Sequence, residues 1–132
     1  METQTKTRTP TRTVLVVDDS ATMVALMTQT LEQNGCRVLS AHEGVAGLAQ
    51  ARDADLIFLD ITMPGLDGYE VCMRIKENPE TARIPVIMVS GKDGFFDKVR
   101  GRMVGSTDYI TKPFDRSVLI ETVQKYCPRP PA

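Results

Sequence analysis

Residues 14–20 read VLVVDDS: four consecutive apolar residues are followed directly by two aspartates and a serine. Two further short apolar runs, at residues 56–59 and 86–89, are followed by Asp60 and Ser90. Short runs that are apolar at every position are typical of central strands in a parallel sheet, because both faces of such a strand are covered. The three runs therefore predict three central parallel strands with polar groups at their carboxyl ends.

The segments between these runs predict helices. Weaker strands are expected at residues 37–40 and 108–110, at the edges of the sheet, and a short helix is expected at residues 44–51. Buried stripes at helical spacing are predicted in four other segments: Val24, Met27 and Leu31; Val71, Cys72 and Ile75; Phe95, Val99 and Met103; Leu119, Val123 and Tyr126. Parallel strands need crossovers, so the prediction is an α/β fold with a doubly wound five-stranded parallel sheet, order 2-1-3-4-5, and five helices.

The 132 residues are expected to form one domain between two tails. Residues 1–12 are predicted to be a flexible N-terminal tail, residues 13–127 the folded domain and residues 128–132 a proline-rich C-terminal tail. The chain is 42% apolar and 25% charged with a net charge of -1, which argues against direct nucleic-acid binding. It has no apolar run near the roughly 20 residues that cross a bilayer, and no secretion signal, so we expect no membrane insertion and a cytoplasmic location.

Polar side chains follow four of the predicted strands, and they are expected to meet at one rim of the sheet. They are Asp18 and Asp19, Asp60, Ser90 and Lys112. Strands 1, 3, 4 and 5 are contiguous in the predicted order, and ligands of such sheets bind beyond the carboxyl ends of the strands. Three close carboxylates raise one another's pKa unless a cation is present, and hard oxygen ligands in an open cleft suit Mg²⁺. A carboxylate nucleophile, a metal ion, a lysine and a hydroxyl are the groups that phosphoryl transfer requires.

Four segments resemble the signature segments of bacterial response-regulator receiver domains, the CheY-like family. They are residues 14–20 (VLVVDDS), 58–68 (FLDITMPGLDG), 86–90 (VIMVS) and 108–114 (DYITKPF). The resemblance covers nearly all of residues 13–127. It implies a stand-alone two-component response regulator that accepts a phosphoryl group on Asp60 from a histidine kinase or phosphotransfer domain. Such a protein switches a protein-binding surface and catalyses only its own phosphotransfer and autodephosphorylation.

The resemblance assigns roles around the metal ion. Asp60 is the expected phosphoacceptor. Asp19 and Asp60 are the expected direct ligands of Mg²⁺, with the backbone carbonyl of Thr62 as a third, and Asp18 acts through metal-bound water. Thr62 and Lys92 fall where side chains flank the attacking water in this family, and neither is a water-positioning acid or amide, so we expect slow self-dephosphorylation.

The resemblance also predicts the switch residues. Ser90 is expected to donate to a phosphoryl oxygen and to move towards it, while Tyr109 swings inward behind Ser90. Lys112 is expected to pair with the phosphoryl group. The peptide bond between Lys112 and Pro113 is expected to be cis, which a residue before proline tolerates at modest cost.

The expected output surface is formed by helix 4, strand 5 and helix 5. Its predicted centre comprises Phe95, Lys98, Tyr109 and Phe114. Residues 90–106 (SGKDGFFDKVRGRMVGS) resemble the PilG-type receivers of chemosensory systems that drive type IV pili and twitching motility. The basic side chains in this segment predict a downstream effector with an acidic surface, and they are Lys92, Lys98, Arg100 and Arg102.

Three other functions are compatible with the same class of sheet. A degenerate receiver would act as a fixed binding module without phosphorylation. A phosphatase of the haloacid-dehalogenase type would need an acid two residues after the nucleophile, where Thr62 stands. A flavin carrier would need a phosphate-binding loop after the first strand, where Asp18 and Asp19 would repel the phosphate.

Overall fold

The computed structural model describes residues 11–91 and 95–128, with side chains from residue 99 onward in the second segment. Within these residues, strands and helices alternate along the chain. The strands are β1 Thr13–Val17, β2 Arg37–Ala41, β3 Leu56–Asp60, β4 Val86–Ser90 and β5 Asp108–Thr111. The helices are α1 Ala21–Gln33, α2 Gly44–Gln50 with a 3₁₀ turn Ala51–Asp53, α3 Gly68–Glu77, α4 Phe95–Met103 and α5 Arg116–Tyr126. None of the helices in the described segments is long and apolar enough to cross a bilayer.

The sheet is parallel throughout, and its strand order is β2-β1-β3-β4-β5, as the sequence predicts. The three fully apolar runs form the central strands, and every residue of β1, β3 and β4 is buried. The two weaker strands lie at the edges. Because β3 is flanked by β1 and β4, the carboxyl end of β3 lies at the centre of the rim.

Alternate residues of the central strands face two separate hydrophobic clusters. Leu15, Leu59 and Met88 face the first cluster, which α2 and α3 cover. Val16 and Phe58 face the second cluster, which α1 and α5 cover. Burying one such side chain contributes about 1.5–3 kcal/mol, so the two-sided core stabilises the strands independently of the polar residues at their ends.

Side-chain caps fix the loops that leave the carboxyl rim. Ser20 Oγ accepts a hydrogen bond from the Met23 amide at 3.2 Å at the start of α1. Asp67 Oδ1 accepts one from the Glu70 amide at 3.0 Å at the start of α3. Short side-chain acceptors satisfy amides that have no partner inside the helix. The loops after β1 and β3 are therefore held at both ends, by a strand and by a cap.

The predicted stripe of α4 is wrong at Met103, whose surface is 80% exposed. The inward positions are instead the buried Gly101 and Val104, which packs against the first cluster. Gly101 has no apolar side chain, so the hydrophobic pattern does not mark it as an inward position. The sequence therefore predicts the wrong buried face for this short helix. The side chain of Phe95, in the same predicted stripe, lies outside the described residues.

Arg12 is the last residue of the predicted N-terminal tail, and it contacts the folded domain. The carbonyl of Arg12 accepts a hydrogen bond from the Arg37 amide at 2.8 Å, so Arg12 extends the pairing of β1 with β2. Its guanidinium donates to the carbonyls of Asn34 and Cys127 at 3.4 and 3.5 Å. Arg12 thus contacts the C-terminal ends of α1 and α5. Residues 1–10 and 129–132 of the predicted tails lie outside the described residues.

Candidate functional site

Three aspartates from two neighbouring strands meet at the carboxyl rim. Asp18 and Asp19 follow β1, and Asp60 is the last residue of β3. The register pairs Val17 with Leu59, so the residues that follow lie side by side. One carboxylate oxygen from each aspartate lies within 4.8 Å of the others. The structure therefore brings together the three carboxylates that the strand order predicts.

Burial distinguishes these aspartates from one another. Asp18 is 2% and Asp60 is 5% exposed, whereas Asp19 is exposed. Asp18 Oδ1 accepts a hydrogen bond from the Ser20 amide at 2.9 Å, and Asp60 Oδ1 accepts one from the Thr62 amide at 3.2 Å. Aspartate side chains often accept from the amide two residues on, and this bond holds the carboxylate in a turn. The two buried carboxylates are thus positioned by their own loops.

Lys112 supplies the counter-charge. Its Nζ lies 3.0 Å from Asp18 Oδ2 and 3.7 Å from Asp60 Oδ1, and its side chain is half-buried. The Lys112 amide donates to the carbonyl of Ser90 at 2.6 Å, which ties the loop after β5 to the end of β4. The peptide bond between Lys112 and Pro113 is cis. The lysine therefore bridges the carboxyl ends of β1 and β3 from the loop after β5.

Burial raises the pKa of Asp60 to about 6, and the neighbouring carboxylate of Asp18 acts in the same direction. The ammonium of Lys112 and the Thr62 amide lower this pKa, but by less than burial and Asp18 raise it. Among the described residues, Lys112 is the lysine close to this cluster, and it is paired with Asp18 and Asp60, two of the three carboxylates. At neutral pH the site therefore carries an excess of negative charge that a cation would relieve.

The donor set fits a small divalent cation. The clustered ligand atoms are carboxylate oxygens, which Mg²⁺ prefers, and Asp19 opens the cluster to solvent. Mg²⁺ keeps several waters and takes few protein ligands, so three carboxylates at an open rim are sufficient. Asp18, Asp19 and Asp60 are the residues that could hold it.

The predicted switch residues lie on β4 and β5. Ser90 is buried at the end of β4, and the register pairs it with Thr111. Asp60 on β3 pairs with Val89 on β4, the residue before Ser90. Ser90 therefore lies one strand away from the aspartate cluster. Tyr109 is half-buried, two residues before the rim, and packs against the first hydrophobic cluster. It is therefore placed behind the rim and not in it.

The expected output residues do not share one core face. Tyr109 packs against the first cluster and Phe114 against the second. Arg100 and Arg102 on α4 are exposed. The side chain of Lys98 and all of Lys92 lie outside the described residues.

Gly68 is a site residue whose role the sequence did not reveal. A Cβ at Gly68 would overlap the carbonyl oxygen of Asp60 and would lie 2.7 Å from the Cα of Ile61. The Gly68 amide donates to the Ile61 carbonyl at 3.0 Å. The start of α3 therefore packs directly on the backbone of the central aspartate. The only sequence signal is a glycine just inside a helix, after the cap Asp67.

Residues 14–124 match the response regulator receiver domain family, and the chain belongs to this family. Membership in this family argues against the two alternative functions of a phosphatase and a flavin carrier. The chain is 44% identical to the protein PilG of Pseudomonas aeruginosa over 117 residues, 87% of both chains. It is 43% identical to PilH of the same organism over 112 residues, 83% of this chain and 93% of PilH. The chemotaxis protein CheY4 of Vibrio cholerae superposes with a TM-score of 0.84 at 29% identity, covering 89% of this chain and 99% of CheY4.

We expect Asp60→Asn to stabilise the metal-free protein at high pH. The folded pKa of about 6 lies above the ordinary value of 3.8, so the folded state binds this proton more tightly than the unfolded state does. The stability that this tighter proton binding gives the folded state is fully present below pH 4. It is lost as the pH rises through 6, where Asp60 ionises. At pH 8 the variant should be more stable by about 2–3 kcal/mol, the equivalent of the pKa difference.

Urea unfolding in EDTA at pH 8 and at pH 4.5 would measure this difference, which should shrink at the lower pH. Mg²⁺ at pH 8 should stabilise the wild type more than the variant, because the ion favours the ionised carboxylate. A variant less stable than the wild type at pH 8 would contradict the electrostatic account.

We expect Gly68→Ala to destabilise the fold and weaken Mg²⁺ binding together, because the added methyl group overlaps backbone atoms of Asp60 and Ile61. Overpacking of this kind costs about 3 kcal/mol. Gly91→Ala is the matched control, since no described residue lies within 4 Å of its added Cβ, and it should change the free energy of unfolding by less than about 0.5 kcal/mol. Equal urea midpoints for the two variants would refute the close-packing argument.

Proposed function

We propose that this protein is a phosphorylation switch in which Asp60 accepts a phosphoryl group from a histidine kinase or a phosphotransfer domain. The observation that carries the proposal is the position of Asp60, buried at the centre of the rim between Asp18 and Lys112. A carboxylate with a pKa of about 6 is largely ionised at neutral pH and is available as a nucleophile. Membership in the receiver family supports the same chemistry.

In the proposed reaction a carboxylate oxygen of Asp60 attacks the phosphorus atom of a phosphohistidine. A P–O bond forms as the P–N bond breaks, and the leaving imidazole nitrogen takes up a proton. The Thr62 amide already donates to Asp60 Oδ1, which leaves Oδ2 as the attacking atom. Lys112, 3.7 Å from Asp60, stabilises the charge on the phosphoryl oxygens, and the hydroxyl of Ser90 donates to one of them.

Mg²⁺ is the proposed cofactor. Asp19, Asp60 and the backbone carbonyl of Thr62 would hold it, and Asp18 would act through a bound water. When bound, the ion neutralises charge on the transferring phosphoryl group. Asp18 is already engaged by Lys112 and by the Ser20 amide, which agrees with an indirect role for this residue.

The proposed output is a protein contact on α4, β5 and α5. A phosphoryl group adds charge and acceptor oxygens at the rim, which draws Ser90 inward and opens space for Tyr109 behind it. The exposed Arg100 and Arg102 favour an effector with an acidic surface. The likeness to PilG and PilH supports a place in a chemosensory system that drives pilus-based motility.

We expect beryllofluoride with Mg²⁺ to shift backbone amide resonances of the protein. The shifts should spread from Asp60 to Ser90, Tyr109 and Lys112, because these residues are linked across the rim through β4 and β5. Two-dimensional amide spectra with and without Mg²⁺ would measure them, and acetyl phosphate should act in the same way.

Two variants serve as controls for this experiment. Asp60→Asn should abolish the response, while Asp53→Asn, a carboxylate in the 3₁₀ turn before β3, should leave it unchanged. A wild type that shows no response at saturating beryllofluoride would instead support the alternative of a degenerate receiver that binds its partner without phosphorylation.

We expect the phosphorylated protein to hydrolyse slowly, with a half-life longer than that of fast chemotaxis receivers. Thr62 has no carboxylate or amide to orient the attacking water, and its side chain is exposed at the rim. Thr62→Glu should shorten the half-life, which can be followed by loss of radiolabel from the protein. A wild-type half-life equal to that of a fast receiver measured in parallel would contradict this expectation.

A further inference from the structure

An aromatic contact links α4 to the backbone of the phosphoacceptor strand. The guanidinium of Arg100, in the last turn of α4, lies 4.2 Å from the centroid of the Tyr69 ring. Tyr69 directly follows Gly68, and Gly68 packs on the carbonyl oxygen of Asp60. A cation over an aromatic face is attracted by the ring quadrupole. Arg100 therefore contacts the first turn of the helix that supports Asp60.

Few contacts of the described residues hold α4 on the sheet. The buried Gly101 approaches Met88, with 3.7 Å between its added Cβ and Met88 Cγ. Val104, just beyond the helix, packs on the first cluster, and its carbonyl accepts from Cys72 Sγ at 3.5 Å. Met103 is exposed. Among the described side chains of α4, that of Arg100 contacts α3 directly.

The two ends of α4 are held differently. At the C-terminal end the Ser106 amide donates to the Gly101 carbonyl at 2.9 Å, and Gly105 has a φ of 91°, a closure typical of a Schellman motif. Before α4, Gly91 follows Ser90 at the rim, and no atom of the described residues lies within 4 Å of its added Cβ. The C-terminal end of α4 is therefore the end that these described contacts fix.

We propose that the contact between Arg100 and Tyr69 holds α4 in its resting position and opposes the switched state. When the contact is released, α4 separates from α3, and the tie between this helix and the backbone of Asp60 is lost. The second part of this inference rests on the proposed phosphorylation switch. The first part concerns the unmodified protein alone and can be tested without any phosphoryl chemistry.

Hydrogen exchange of the α4 amides in the unmodified protein tests the first part. Arg100→Ala should speed exchange by about two- to fivefold, the factor that corresponds to an exposed cation–π contact. Arg102→Ala is the matched control, because it removes the same charge from the same last turn, and with it the same interaction with the helix dipole, but no aromatic contact. Equal exchange rates in the two variants would overturn the proposal.

Variants at the ring distinguish a specific contact from a general loss of charge. Tyr69→Phe keeps the aromatic face and should leave the exchange of α4 unchanged. Tyr69→Leu also removes core packing, because Tyr69 is buried in the first cluster, so it should speed exchange more in the wild type than in the Arg100→Ala background, where the contact is already absent. Additive effects of Tyr69→Leu and Arg100→Ala would show that the two residues act independently, which would overturn the proposal.

Beryllofluoride binding in Mg²⁺ tests the second part. If the contact opposes the switched state, Arg100→Ala should bind beryllofluoride about two- to fivefold more tightly than Arg102→Ala does, since the released state is already favoured. Unchanged or weaker binding would overturn this part. A complete lack of binding in the wild type would refute the proposed function, while the exchange experiment would still decide whether Arg100 holds α4.

Discussion

The repulsion among the rim carboxylates is the constraint on which the rest of the structure depends. Asp18 and Asp60 are buried side by side because β1 and β3 are neighbours in register, and only Lys112 provides a close positive charge among the described residues. This arrangement destabilises the protein above pH 6, where Asp60 is ionised. The apolar strands, which are covered on both faces, supply the stability that offsets this repulsion. The charged residues of the site accordingly lie at the ends of these strands and not within them.

Much of the fold could be predicted because its determinants are local in the sequence. A fully apolar run identifies a central strand, and the polar residue that follows marks its end, as at Asp60 and Ser90. The strand order then places these ends on one rim. The cluster of Asp18, Asp19 and Asp60 follows from that order, although which of the three is exposed depends on how each loop turns.

Three residues have roles that depend on contacts which a linear sequence pattern does not contain. Gly68 matters because another segment's backbone lies where its side chain would be. The sequence predicts the wrong buried face for α4 because one of its inward residues is a glycine, Gly101. A hydrophobic pattern is read from apolar side chains, and a glycine has none. Arg12 lies in a polar stretch, yet it contacts the ends of two helices that are distant in sequence. In each case the deciding partner comes from elsewhere in the chain.

The same charge imbalance explains how a small chemical event could move a helix. In the proposed switch, a cation at the rim offsets the repulsion, and the phosphoryl group then adds negative charge at a new position, which Lys112 and Ser90 would approach. The energy available is a few kcal/mol, too little to rearrange a two-sided core. It is sufficient to break the contact between Arg100 of α4 and the Tyr69 ring. We therefore expect the response to include release of this contact of α4, and to leave the two-sided core, with α1 and α5, in place.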